Sequence, residues 1–413
     1  MTVSDASAPT LRRSLGLPLI TLYGLGTTIG GGIYVLIGSV AERAGMNALI
    51  SFVVAAFLIG FTALSYSELS SRFPVSAGSA VYVSRGFGRT KLGLAVGCLV
   101  VFAAIVSASV LSRGFAAYFH VLFDVPSWIA IIGIVVLIGL LAAWGIGQSV
   151  VTASVITVIE VGGLLLILWV GRASFEELPA RWNEFLPGWN LAAWAGIFSG
   201  SVIAFFAFIG FEDMVNVAEE VKDAEKALPR AILITLVLTT ILYVAVAYVT
   251  LTGVPLNILQ ESEAPLTLVA ARHSETLARW IATIGTVAVL NGALIQIIMA
   301  ARVLYGMARQ GWIHAGLGRV HSRTQTPIAA TSLVTLAVIV LALSFPIGVL
   351  AQTTSLIVLI TGSFVNGALL RMKLRKDVGR GHISLPKAVP LIGLISNASF
   401  GVVVLADLIF ASS

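Results

Sequence analysis

The chain has 413 residues, of which 58% are hydrophobic and 11% charged, with a mean hydropathy of +1.00 and a formal net charge of +6. That composition excludes an ordinary soluble domain and describes a chain embedded in a bilayer. Nor does the positive balance describe a nucleic-acid binder, because the basic residues stand between apolar runs, where they act as topology signals.

In chain order, Met1 to Thr10 is polar and Arg12 and Arg13 follow. The first apolar run is too long for the core of a secretory leader. About eleven segments meet the roughly 20-residue criterion for spanning a bilayer. They are 17–41, 46–71, 92–119, 127–146, 151–171, 192–218, 229–253, 278–306, 327–345, 348–370 and 388–410. Alternate loops carry 19 basic residues against 5 in the others, with Arg113 left inside a span. The bias places the N-terminus in the cytoplasm, and an odd number of spans then puts Ala411 to Ser413 outside.

Within the first segment lies Gly26-Thr27-Thr28-Ile29-Gly30-Gly31-Gly32-Ile33-Tyr34. Consecutive glycines weaken a helix by about 1 kcal/mol each relative to alanine. A helix broken at mid-membrane frees carbonyls on one side and N–H groups on the other, a pairing suited to a small zwitterion. Close helix packing is the competing explanation for such a glycine cluster. A second break is expected in span 6, at Phe208-Ile209-Gly210-Phe211-Glu212-Asp213, about 180 residues later. Spans 1 and 6 run in opposite directions, so matching breaks point to an inverted repeat with its site at the midplane. The long connections after spans 2 and 7, Ser71 to Lys91 and Thr252 to Leu277, fall at equivalent places. The expected organisation is a cytoplasmic tail (1–16), a first five-helix repeat (17–171), a second inverted repeat (192–370), and an additional helix with the C-terminus (388–413).

Ionisable residues inside spans are functional candidates. Glu160, near the centre of span 5, can carry a proton through a transport cycle or serve as a structural group bonded to a neighbouring helix. Glu212 can cap a helix start or link occupancy to gating. Arg113 either snorkels outwards or stands as a fixed cation of the outer vestibule. Glu68, close to Arg72, reads as structural. Thr27, Thr28, Asn291, Gln296, Thr353, Thr354 and Ser355 are candidate polar linings, with interhelical hydrogen bonding the alternative for each. Phe205, Phe206 and Phe208 can cover a substrate or face lipid. Ser107 and Ser109 read as packing residues. Cys98 is the sole cysteine, which excludes an intrachain disulfide and a cysteine-built metal site. The five histidines lie in or beside loops, and no nucleophile motif appears, so no metal, cofactor or enzyme activity is expected.

Four of these stretches, in order, resemble the amino acid–polyamine–organocation family. They are Gly26 to Tyr34; Ser67-Glu68-Leu69 with Phe73-Pro74 and Ala77-Gly78-Ser79; Phe206 to Glu212 with Ala218 to Lys222 and Pro229 to Ile232; and Ala301 to Gly311. The resemblance implies an all-α, leucine-transporter-like fold: a five-plus-five core with one extra helix. It also implies secondary transport of amino acids or related amines by alternating access. Carried over, Thr28, Ile29, Gly30, Gly31, Gly32 and Ile33 would hold the substrate's amino and carboxyl groups through backbone, and Thr27 beside them is a further candidate for the substrate site. Phe206, Phe208 and Ile209 would contact it from helix 6, with Phe205 and Gly210 as neighbouring candidates, and Gln296 stands near a gating position in helix 8. Glu212 falls where related exchangers have a carboxylate linked to pH response. Three departures stand out. Glu160 occupies the place of a helix-5 lysine, Gly31 replaces a more usual serine or alanine, and eleven spans replace twelve. The resulting expectation is a proton-coupled amino-acid importer of a bacterial-type cytoplasmic membrane. An exchanger without net proton coupling and a non-transporting sensor are the alternatives. Neither the substrate's side chain nor the oligomeric state can be read from the residues.

Overall fold

A computed structural model describes residues 15–75, 78–144, 150–309, 311–324, 326–375 and 381–410. The tail before Leu15, the last three residues and Ala77 therefore lie outside the described residues, together with the orientation signals and motif positions expected there.

The described chain is helical. Leu17–Ile29 (α1) and Gly32–Ala44 (α2) are followed by Ala48–Arg72 (α3), the short Gly78–Phe87 (α4) and the long Thr90–Leu122 (α5). Ser127–Trp144 (α6), Val150–Val170 (α7), Ser174–Arg181 (α8) and Leu191–Ala207 (α9) come next. Phe211–Glu220 is a ten-residue 3₁₀ segment, an unusual length for that geometry. Ala224–Gly253 (α10), Leu256–Gln260 (α11), Pro265–Ala271 (α12) and Glu275–Arg309 (α13) lead to Ile328–Ser344 (α14), Ile347–Arg375 (α15) and Ala388–Phe410 (α16). The one extended pairing among the described residues is a bridge between Leu15 and Val221. There the Leu15 N–H donates to the Glu220 carbonyl at 3.0 Å and the Lys222 N–H to the Leu15 carbonyl at 2.8 Å.

Among the described residues, eight helical stretches are long and apolar enough to cross a bilayer. A ninth arises when α7 is joined to the chain after it across a 68° bend, and α14 is apolar but has 17 residues. Backbone groups satisfied within helices are what hydrocarbon demands of a spanning segment. The protein is thus a polytopic helical membrane protein. Its outer surface carries the exposed apolar side chains that lipid tolerates, such as Phe57, Leu140, Val237, Ile241 and Val402.

The helices pack in two groups. α3 lies against α10 and α9, α2 against α9, and α1 against α10. Separately, α5 and α13 run along each other, and α6 and α14 pack on them and on each other. Two breaks lie inside the first group. α1 ends at Ile29 and α2 begins at Gly32, with Gly31 at φ 119° between them. α9 ends at Ala207 and the 3₁₀ segment begins after Gly210, at φ 124°. Both are left-handed conformations that glycine adopts without a Cβ penalty.

The buried charge of α3 has a structural use. Glu68 accepts from Arg72 and Lys373, each at 2.6 Å, and from the Leu385 N–H at 3.0 Å. All three charged side chains are at most 6% exposed. They staple the connection between α15 and α16 to the end of α3, which agrees with the structural reading of Glu68.

Candidate functional site

The two breaks meet back to back. Thr27 Oγ1 donates to the Gly210 carbonyl at 3.0 Å, and a side-chain carbon at Gly210 would overlap the Thr27 carbonyl. One added at Gly32 would stand 2.7 Å from the Cα of Ala207. The Tyr243 hydroxyl of α10, buried, donates across the junction. It lies 2.9 Å from the carbonyls of both Thr28 and Ala207, the C-terminal ends of the two interrupted helices. One tyrosine thus satisfies carbonyls that the breaks would leave bare. The N–H groups of Gly32, Ile33 and Tyr34 open α2 and have no acceptor within that helix.

A narrow cavity of about 20 Å³ lies at the junction. Of the expected residues, Thr27, Thr28, Gly30, Gly32, Phe206, Ile209 and Gln296 line it. Ser107 and Leu111 of α5 and Gly292 and Ile295 of α13 complete the wall. Thr28 is 4% exposed, and its Oγ1 has no hydrogen-bond partner among the described residues. Ile29, Gly31, Ile33, Phe205, Phe208 and Gly210 do not line this cavity. Gly31 and Gly210 form the turns, while Phe208 packs on the Tyr243 ring at 5.0 Å. Phe205, Phe206 and Phe208 are all buried, so the lipid-facing alternative for these rings does not hold.

From this cavity, Ser107, Ile209 and Gln296 are shared with a chamber of about 100 Å³. Asp213, Asn216 and Met299 in turn connect the chamber to a cavity of about 670 Å³. Arg85, Arg302 and Trp312 line that larger cavity, at the end of the molecule with the most basic loops. The opposite end is closed over the junction. The Tyr118 hydroxyl donates to the Tyr34 carbonyl at 2.6 Å, and the Tyr34 hydroxyl to the Glu160 carbonyl at 2.5 Å.

The ionisable candidates separate. Glu160 is fully buried on α7. Its Oε1 accepts from Asn291 Nδ2 of α13 at 3.0 Å, and its Oε2 has no hydrogen-bond partner among the described residues. It lines none of the three connected cavities. Glu212 turns back to accept the Gly210 N–H at 2.9 Å, capping the second break, and also lines the chamber. Arg113 stands apart from the junction. It donates to the Ala342 carbonyl at 3.0 Å and approaches Glu263 Oε1 at 3.5 Å, tying α5 to α14 and to the loop before α12. The Arg113 side chain is 25% exposed, with Glu263 as its acidic neighbour.

Sequence reading alone missed Asp213, Tyr243 and the lining role of Ser107. Asp213 is 4% exposed and receives Gln296 Nε2 at 3.5 Å. An acidic pair inside an apolar segment was its signal. Tyr243 had none, since a tyrosine in a span is ordinary. Among the other polar candidates, Ser355 donates to the Val202 carbonyl between helices, and Ser109 reaches the Val338 carbonyl. Thr353 and Thr354 bond within α15, and Thr354 also lines the chamber.

Two broken helices joined around a polar cavity, inside a polytopic helical membrane protein, define a membrane carrier by class. The amino acid permease family matches residues 15–412. The chain is 30% identical over 349 residues to the branched-chain amino acid permease BcaP of Bacillus subtilis, covering 78% of this chain and 72% of that protein. It is 30% identical over 372 residues to the vacuolar cationic amino acid transporter 2 of Arabidopsis thaliana, covering 84% and 57%. It is 25% identical over 420 residues to the methylthioribose transporter of Bacillus subtilis, covering 95% and 88%. The chain belongs to the amino acid permease family within the amino acid–polyamine–organocation group, a family of transporters and not of enzymes.

Proposed function

We propose that this protein imports amino acids or related amines by alternating access about the junction of α1/α2 with α9 and the 3₁₀ segment. The observation that carries the reading is the junction itself. Gly32 at the start of α2, the orphaned Thr28 hydroxyl and Gly30 meet at one cavity between the two helix groups. Backbone at Thr27, Thr28, Ile29, Gly30, Gly31, Gly32 and Ile33 would hold the amino and carboxyl groups common to amino acids. Phe206, Ile209 and Gln296 would bound the substrate, and Phe205, Phe208 and Gly210 would shape the second break behind them. The names of the relatives, which include a branched-chain permease and a cationic amino acid transporter, support an amino-acid substrate.

Eleven spans follow if Leu17–Arg72 is divided at Gly45 and α7 and α14 are counted. Spans 1, 2, 6 and 7 then make one helix group and spans 3, 4, 8 and 9 the other. This grouping supports two inverted five-helix repeats, 17–171 and 192–370, with 388–413 as an addition. The charge bias supports a cytoplasmic N-terminus and an outside C-terminus, and the membrane proposed is a bacterial-type cytoplasmic one. In that orientation the 670 Å³ cavity opens inwards.

Purified protein in proteoliposomes should accumulate a radiolabelled amino acid under an imposed pH gradient. No substrate-dependent uptake under any pH or sodium gradient would overturn the reading. Proton coupling is assigned to Glu160, whose unpaired oxygen leaves room for a proton, with Glu212 the second candidate. Glu160→Gln, which keeps a group able to bond Asn291, should abolish accumulation against a gradient yet retain exchange. Unchanged accumulation removes Glu160 from the coupling.

A further inference from the structure

The chamber beyond Gln296 is chemically lopsided. Part of its wall is apolar, formed by Val100, Ala103, Ala104 and Val358. It also holds two carboxylates, Glu212 and Asp213, and no lysine, arginine or histidine lines it. Glu212 is occupied by the Gly210 N–H. Asp213, nine-tenths buried, has a single long hydrogen bond, from Gln296 to Oδ2, and its Oδ1 makes none among the described residues. A second polar group is equally idle. Thr361 of α15 lines the same chamber, is 6% exposed, and its Oγ1 has no partner among the described residues. Burying a carboxylate without a counter-charge is costly, and a chamber that sets apolar wall beside an unpaired carboxylate suits an aliphatic stem with a cationic tip.

We infer that Asp213 is a specificity-determining residue, and that the transported substrate is a basic amino acid whose side-chain ammonium or guanidinium sits between Asp213 and Thr361. This rests on the amino-acid transport reading above and narrows it. The substrate's backbone groups stay at the α1/α2 break, while its stem passes Ile209 and Gln296 along the apolar wall. The tip then donates to Asp213 Oδ1 and to the Thr361 hydroxyl. A branched aliphatic side chain would leave both acceptors unpaired, so the chamber discriminates against it.

The test uses the purified full-length protein, with lysine compared against norleucine, which shares the stem and lacks the charge. Lysine should raise the melting temperature, whereas norleucine at equal concentration should not. In proteoliposomes Asp213→Asn should raise the KM for lysine at least tenfold, Asp213→Glu should restore most of it, and Thr361→Val should raise it a few-fold. Equal stabilisation by lysine and norleucine overturns the inference while leaving amino-acid transport intact. So does proton-driven leucine uptake that Asp213→Asn abolishes, which would make Asp213 a proton carrier instead. If no amino acid stabilises or is transported, the broader reading fails together with this one. An Asp213→Asn variant that melts like the wild type but loses no preference for lysine also overturns it.

Discussion

At the scale of single residues, the junction depends on atoms that are absent. Gly210 combines a left-handed backbone with a position where a methyl group would overlap the Thr27 carbonyl. Gly210→Ala therefore adds a conformational penalty of about 1–3 kcal/mol to a steric one. It should lower the thermal midpoint in detergent and suppress uptake. Gly162→Ala is the matching control, because a Cβ there meets nothing within 4 Å and the residue lies inside α7. That variant should melt at or slightly above the wild-type temperature. A Gly210→Ala variant that melts and transports like the wild type would show that the junction tolerates a side chain. The glycine cluster at 30–32 was legible in the sequence because glycine is its own signal. Asp213 was harder to see. It stands next to Glu212 in the sequence, and only the hydrogen bonds show that the two carboxylates take different partners.

At the scale of elements, the segment boundaries were nearly complete from hydropathy. Α-helical turns hide their own backbone from lipid, so apolar length and spanning length coincide. The expected 92–119 and 278–306 grew into the 33-residue α5 and the 35-residue α13. Their polar ends project beyond the apolar window, and a hydropathy criterion stops short of them. What hydropathy could not show was pairing between distant elements. The Glu68 cluster joins α3, α15 and the 381–385 connection through residues more than 300 positions apart. Glu68→Gln leaves two cations without their shared anion, and breaking a buried pair costs about 3–5 kcal/mol. The expected result is a clear fall in thermal midpoint. Glu68→Gln combined with Lys373→Met should recover part of that fall. No recovery would mean that the cluster contributes through packing alone.

At the scale of the whole molecule, the connected cavities open at the end with Arg85 and Arg302 and are shut at the end with Tyr34 and Tyr118, the form that the proposed alternating access requires of one of its states. In a Cys98→Ser background, a cysteine at Val303 should react with a membrane-impermeant thiol reagent only from the cytoplasmic side, and a cysteine at Phe115 from neither side without substrate. Labelling of Val303→Cys from outside would reverse the orientation drawn from the charge bias. The unusual 3₁₀ run between Phe211 and Glu220 makes the length of this element depend on its winding. At about 2.0 Å per residue its ten residues span about 20 Å, whereas the same ten wound as α-helix span about 15 Å. Rewinding would shorten the strut by about 5 Å. Because Glu220 is hydrogen-bonded to Leu15 just ahead of α1, the retraction would haul the base of the first helix with it, as a rope over a pulley moves both its ends.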